Sequence, residues 1–187
     1  FYDASVLNQG YFIQDDLRLT ANLKLNFGLR YELFTRPSAI PNPDLALTAN
    51  IPQDRNNWAP RAGLAWDLSG DGKTVLRVGG GVYYNTTVAQ TWNNFFRGNG
   101  VEVVNLNVTP TDPGAPAFTR GRVSPLAGAR RPVTDVRAVA PAFDDLTTYN
   151  YFATLEREFL PNWGVSVTYQ GTRGRNLPVS LNTNLRN

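Results

Sequence analysis

The chain has 187 residues, of which 42% are hydrophobic, 12% aromatic and 18% charged. Its 18 basic and 15 acidic residues give a net charge of +3, which is too small and too scattered to indicate a nucleic-acid partner. The sequence contains no Cys and no His. Disulfides, Cys or His metal ligands, Cys nucleophiles and Ser-His-Asp triads are therefore excluded. We expect a protein that is not an enzyme and that has no cofactor.

The clearest strand pattern lies near the start of the chain. From Leu23 to Leu33 every odd-numbered residue is apolar or aromatic, and every residue between them is polar or Gly. This period of two places the large apolar side chains on one face of a strand. The segment Tyr11–Leu19 alternates more weakly, with Asp15 interrupting its apolar face. Together the two segments predict a hairpin over about residues 10–33.

The same pattern recurs twice. It predicts hairpins over about residues 58–84 and 149–172, with turns at Ser69–Gly72 and Pro161–Asn162. The connections between hairpins are long, at about residues 34–57 and 85–148. The predicted fold class is all-β, an antiparallel up-and-down meander of about six long strands.

The distribution of turns and aromatic residues favours a membrane barrel. No apolar stretch reaches the 18–20 residues of a spanning helix, but a membrane-spanning strand needs only about 9–11. Short turns at one end and long loops at the other are typical of outer-membrane barrels, as are aromatic residues at both membrane interfaces. The predicted belt residues are Tyr31, Trp58, Trp66, Tyr84, Tyr151 and Trp163. The alternative is a soluble secreted β-sandwich, a carbohydrate-binding or adhesive module. Burial of Leu23, Leu25, Phe27 and Leu29 between two sheets would favour that fold.

The strand motifs resemble those of one receptor family. GYFIQDDLRLT at residues 10–20 and LKLNFGLRYE at 23–32 are similar to the barrel of TonB-dependent outer-membrane receptors. NWAPRAGLAWD at 57–67, TYNY at 148–151 and YQGTRGRNLP at 169–178 are similar to the Oar-like subgroup and follow in the same order.

The resemblance implies a transmembrane barrel of 22 strands, with a plug domain inside it and a TonB box before the plug. Residues 1–187 would then be an internal part of that barrel, in keeping with the absence of Met at position 1. The implied function is ligand capture and energised uptake across the outer membrane of a bacterium. The implied partners are outer-membrane lipid, the plug of the same parent chain, TonB and an unidentified ligand. The residues expected to face the lumen are Lys24, Arg30, Glu32, Arg61, Arg77, Thr168 and Gln170.

Four further features carry weaker expectations. The run Gly79–Gly81 inside a strand predicts a bend, a bulge or close approach of another segment, such as the plug. We interpret Asp144 and Asp145 as solvated surface. Residues Glu102–Val108 alternate weakly and suggest a small hairpin in the second loop. That loop is also rich in Arg, which leaves open either a solvated loop or a contact with anionic lipopolysaccharide or ligand. These basic residues are Arg120, Arg122, Arg130, Arg131 and Arg137.

Overall fold

A computed structural model describes residues 5–101, 111, 118–119, 122–123 and 136–183 of the chain. The long strands are β1 (Asn8–Thr20), β2 (Leu23–Phe34), β3 (Trp58–Asp67), β4 (Thr74–Asn85), β7 (Leu146–Leu160) and β8 (Trp163–Arg175), and a short pair comprises β5 (Phe118–Thr119) and β6 (Arg122–Val123). The six long strands form one antiparallel sheet in the order β1-β2-β3-β4-β7-β8. The predicted six-strand meander is therefore confirmed.

The turns inside the hairpins are short and are formed by residues suited to them. Two-residue links join β1 to β2 and β7 to β8, and Asn162 in the second link has φ 66°. The β3–β4 turn contains Gly70 and Gly72 with φ of 75° and 77°, a backbone region that favours Gly. Asp67 accepts hydrogen bonds from the backbone N–H groups of both glycines.

The strand register sorts side chains onto two faces, because directly opposite residues of antiparallel strands point to the same side. We call a row of directly opposite residues across the sheet a rung. On one side of the sheet, one such rung contains Leu23, Trp66, Leu76, Leu155 and Val167. We call this side the apolar face and the opposite side the polar face.

The apolar face is not buried against a second sheet among the described residues. Phe27 and Leu29 are 43% and 39% exposed, and Val167 is 65% exposed. The only other sheet described is the pair of two-residue strands β5 and β6. This arrangement lacks the sheet-on-sheet packing that a β-sandwich requires.

Parts of the two long connections form a second compact unit, to which the described residues 37–52, 88–101 and 136–141 belong. It contains a 3-10 helix at Ala46–Thr48 and helix α1 at Ala89–Arg97. Trp92, Phe95 and Phe96, spaced three and four residues apart, are the buried side of α1.

These aromatic residues give the unit an apolar core, so the described parts of the two connections include ordered helical segments. The suggested hairpin at 102–108 lies outside the described residues. So do Arg120, Arg130 and Arg131, together with the side chain of Arg122. Across the described part of the chain, no helix has the length and apolar character needed to cross a membrane.

The glycines at 79–81 allow neighbouring groups to approach the strand closely, as the sequence predicts. A Cβ added to Gly79 would lie 2.8 Å from Phe152 Cε1, and one added to Gly81 would lie 2.8 Å from Arg61 Cγ. At Gly80 the nearest group is the carbonyl oxygen of Asn150. The close neighbours described here belong to the sheet itself; a plug contact stays a prediction.

Candidate functional site

All seven residues predicted to face the lumen lie on the polar face. Lys24, Arg77 and Thr168 share one rung across the sheet, linked through Ala65 and Thr154. Gln170 lies opposite Phe152 in the next rung. The other three residues, Arg30, Glu32 and Arg61, also alternate onto this face. The register thus collects one predicted set on one side of the sheet.

Ion pairs and cross-strand hydrogen bonds connect the polar face. Arg30 Nε lies 2.5 Å from Glu32 Oε1, and Arg77 Nε lies 3.4 Å from Glu156 Oε2. The hydroxyls of Thr154 and Thr168 are 3.0 Å apart. The Arg77–Glu156 pair is exposed and adds little stability, while the Arg30–Glu32 pair is half-buried. Together they leave a wettable surface of mixed charge.

Aromatic residues also lie on the polar face, among them Phe12 and Tyr83. The guanidinium of Arg61 lies over the Tyr83 ring, 4.3 Å from its centroid. Phe12 is directly opposite Arg30 and is largely exposed. The alternation places them there, because Phe12 lies between the apolar-face residues Tyr11 and Ile13, and Tyr83 between Val82 and Tyr84.

A shallow depression of about 180 Å³ lies beside Gly28, the position where the polar face lacks a side chain. Phe12, Gln14, Arg30 and Arg61 line it. Two guanidinium groups beside an aromatic ring are suited to contact a ligand with an anionic or polar group and a flat apolar surface.

The six predicted belt residues lie on the apolar face. Tyr31 and Trp58 are opposite each other with ring centroids 4.7 Å apart, and the Tyr31 hydroxyl donates to the Arg55 carbonyl over 2.9 Å. Near the loop ends of the strands lie Tyr31, Trp58, Tyr84 and Tyr151, which we call the loop-side line. Near the short turns lie Trp66 and Trp163, the turn-side line.

The turn-side line crosses the rungs obliquely. The rung of Trp66 on β3 reaches β8 at Val167, so Trp163 is displaced by four residues towards the short turns. Four residues are about 13 Å along a strand, and three strand spacings are about 14 Å across the sheet. The turn-side line is therefore inclined by about 42° to the rungs, within the tilt range of outer-membrane strands. On the loop side Tyr31 and Trp58 share one rung, and Tyr151 alone is displaced, by four residues towards the short turns.

The slope also accounts for Asp15, which sits on the apolar face opposite Phe27. When the turn-side line is continued from β3 across two strands to β1, with the same shift per strand, it passes between Asp15 and Leu17. The carboxylate thus lies at the level of the turn-side aromatic residues and not in the middle of the apolar band.

A buried polar cluster joins the loop ends of the strands. Arg36 Nη2 lies 2.6 Å from Asp145 Oδ1, and both side chains are at most 2% exposed. Asn57 Nδ2 donates to Asp145 Oδ2 over 2.8 Å, and the Asp145 backbone N–H donates to Asp54 Oδ2 over 2.9 Å. We call Arg36, Asp54, Asn57 and Asp145 the rim cluster.

The rim cluster corrects the interpretation of Asp145 as solvated surface. Asp144 is exposed, but its neighbour is buried because both of its carboxylate oxygens are occupied by donors. Arg36 follows β2, Asn57 precedes β3 and Asp145 precedes β7, so the cluster ties three strand ends together. Each of these residues lies outside the alternating segments, so the alternation gave no signal for their pairing.

The described residues contain no group of three or more His, Cys, Asp or Glu side chains that could hold a metal ion. The candidate site is accordingly the polar face with its arginine and aromatic side chains. Its side chains are suited to contact with polar molecules.

The sequence model of a family described as "Outer membrane beta barrel domain" matches residues 2–187. The chain therefore belongs to this outer-membrane β-barrel family. Membership implies a location in the outer membrane of a bacterium. Neither the curated proteins nor the solved structures gave a match.

Proposed function

We propose that this chain is a barrel segment of a TonB-dependent receptor of the Oar-like kind, with 22 strands in the whole barrel and uptake as its function. The observation that carries the proposal is the separation of the two predicted residue sets onto opposite faces, with the turn-side line tilted as in outer-membrane strands. The ordered strand motifs support the narrower assignment to this receptor group.

In this proposal the apolar face contacts lipid and the polar face lines the lumen. Apolar side chains such as Phe27, Leu29 and Val167 can remain exposed because lipid replaces water around them. The rings of the two aromatic lines lie at the two membrane interfaces. A soluble β-sandwich module is the other function that the alternation allows, and the exposed apolar face argues against it.

The polar face then takes part in uptake by offering exchangeable contacts. Long loops capture the ligand, and energy delivered through TonB displaces the plug domain of the same chain. Arg30 and Arg77 are neutralised by Glu32 and Glu156, so a passing ligand replaces one ion pair with another and is not held tightly. The proposed function is uptake of the captured ligand, without bond-making chemistry on it.

Single Cys substitutions test the assignment of the faces, because the natural chain has no Cys. Phe27→Cys and Val167→Cys in the full-length protein should react in cells with a membrane-partitioning maleimide and resist a charged one. The adjacent polar-face variants Asn26→Cys and Ser166→Cys should show the reverse order. Equal reactivity of both pairs with the charged reagent would contradict a lipid-facing apolar face.

Transport is tested by gene deletion. A strain lacking this gene and a strain lacking TonB should lose growth on the same members of a panel of oligopeptides and oligosaccharides. Restoring the gene in the first strain should restore that growth. Uptake that persists without TonB but requires this gene would overturn the TonB-dependent assignment and leave the barrel intact.

A further inference from the structure

We propose that the loop-side end of β7 and β8 binds the phosphate group of an anionic outer-leaflet lipid through Arg173 and Arg175 on the apolar face. The inference rests on the proposed lipid-facing role of that face, and it names a lipid site with specific residues.

The register places two cations on the apolar face at the loop-side end of β8. Arg173 lies directly opposite Tyr149, and Arg175 lies opposite Thr147. The guanidinium carbon of Arg175 is 5.4 Å from the centroid of the Tyr149 ring. Both arginines are exposed. An aromatic ring beneath a guanidinium orients it without neutralising its charge.

Neither arginine is neutralised by an acidic side chain in the described part of the chain. The ion pairs found there are Arg30–Glu32, Arg36–Asp145, Lys73–Asp71 and Arg77–Glu156. Two adjacent unneutralised guanidinium groups are suited to a phosphate, because each offers paired N–H donors in a planar fork.

The height of the pair fits a lipid headgroup. Arg173 follows Trp163 of the turn-side line by ten residues along β8. At about 3.3 Å per residue and about 42° of tilt, this is roughly 25 Å along the membrane normal, about the height of the apolar band of an outer-membrane barrel. Arg173 and Arg175 therefore lie just beyond the hydrocarbon, where lipid phosphates are found.

The surface below the arginines suits acyl chains. Tyr151, Val167 and Tyr169 are exposed on the same face, one to three rungs nearer the short turns. The Tyr151 and Tyr169 ring centroids are 6.2 Å apart. A lipid seated here would place its phosphate on the guanidinium groups and its chains along this apolar strip. The charge of the two arginines and the apolar strip beside them together favour a phosphorylated lipid over a free phosphate ion.

The test uses the full-length protein in dodecylmaltoside micelles, titrated with diphosphoryl lipid A and followed by native mass spectrometry. The double variant Arg173→Gln/Arg175→Gln should bind at least tenfold more weakly. Arg173→Lys/Arg175→Lys, which keeps the charge but loses the planar fork, should fall between. The control Arg18→Gln/Arg157→Gln removes the same charge near the short turns and should bind within twofold of the natural protein.

Two further arms separate the sources of binding. Dephosphorylated lipid A should bind as weakly as the double Gln variant does, and inorganic phosphate at 50 mM should not displace the lipid. Equal affinity of the natural protein and the double Gln variant would overturn the proposal, as would equal affinity for the dephosphorylated lipid. Since the Cys-labelling experiment reports on the faces independently, loss of this site alone leaves the proposed function standing.

Discussion

Arg36 and Asp145 are separated by 109 residues in the chain and form a buried ion pair of 2.6 Å between Nη2 and Oδ1. Arg36 Nη1 also donates to the Phe143 carbonyl, and its guanidinium lies 5.0 Å from the centroid of the Phe143 ring. The pair therefore fixes where the chain leaves β2 relative to where it begins β7.

We predict that Asp145→Ala destabilises the full-length protein by about 3–5 kcal/mol, because it leaves the Arg36 charge buried without its carboxylate. Asp144→Ala, at the exposed neighbour, should change the free energy of unfolding by less than about 0.5 kcal/mol. Urea unfolding in micelles, followed by Trp fluorescence, measures both. Equal effects of the two substitutions would show that the buried pair does not stabilise the strand ends.

A charge on the apolar face should be costly in lipid. Val167 lies between the levels of Trp163 and Tyr151 on the apolar face, so Val167→Lys should cost about 2–4 kcal/mol in a bilayer. Ser166→Lys points to the polar face and should cost less than about 0.5 kcal/mol. Unfolding in phosphatidylcholine vesicles is the measurement, and the idea is abandoned if the two variants are equally stable.

The pair Gly79 and Phe152 should be energetically coupled. The two residues are directly opposite in the register, and a Cβ at position 79 would lie 2.8 Å from the Phe152 ring. Gly79→Ala should destabilise the sheet by about 1–3 kcal/mol by forcing the ring away. In a Phe152→Ala background the same change should cost markedly less, and a double-mutant cycle on unfolding free energies gives the coupling. Additive effects would mean that the ring does not depend on the glycine.

The β3–β4 turn should lose stability in acid. The Ser69 hydroxyl, followed by the Lys73 backbone N–H, donates to Asp71 and lowers the pKa of its carboxyl below the usual 3.8. A lowered pKa means that the stabilising contribution is complete above about pH 3.8 and is lost as the pH falls through the folded value.

Amide exchange at Lys73 should therefore accelerate, after correction for intrinsic rates, as the pH falls below 3.8 in the natural protein. Asp71→Asn, which cannot titrate, should show a flat corrected rate over the same range. A parallel pH dependence in both proteins would assign the effect to another group.

Alternation made the long strands and their faces predictable, because a period of two directly reports which side chains share a side. It could not reveal the rim cluster, since Arg36, Asn57 and Asp145 lie outside the alternating segments and meet only through tertiary contacts. Helix α1 was missed for a related reason: its buried residues Trp92, Phe95 and Phe96 follow a period near 3.6 over only nine residues, inside a stretch interpreted as loop.

The inclination of the turn-side line means that neighbours in the sheet are not neighbours in depth. The rung that joins Asp15 on β1 to Gly171 on β8 crosses five strand spacings, or about 24 Å. At about 42° its two ends differ by roughly 16 Å along the membrane normal. One row of hydrogen bonds therefore runs from the level of the short turns, where a carboxylate is tolerated, almost to the level of the lipid phosphates. The same substitution made at the neighbouring strand on one rung therefore differs in membrane depth about as much as when it is made one residue further along its own strand.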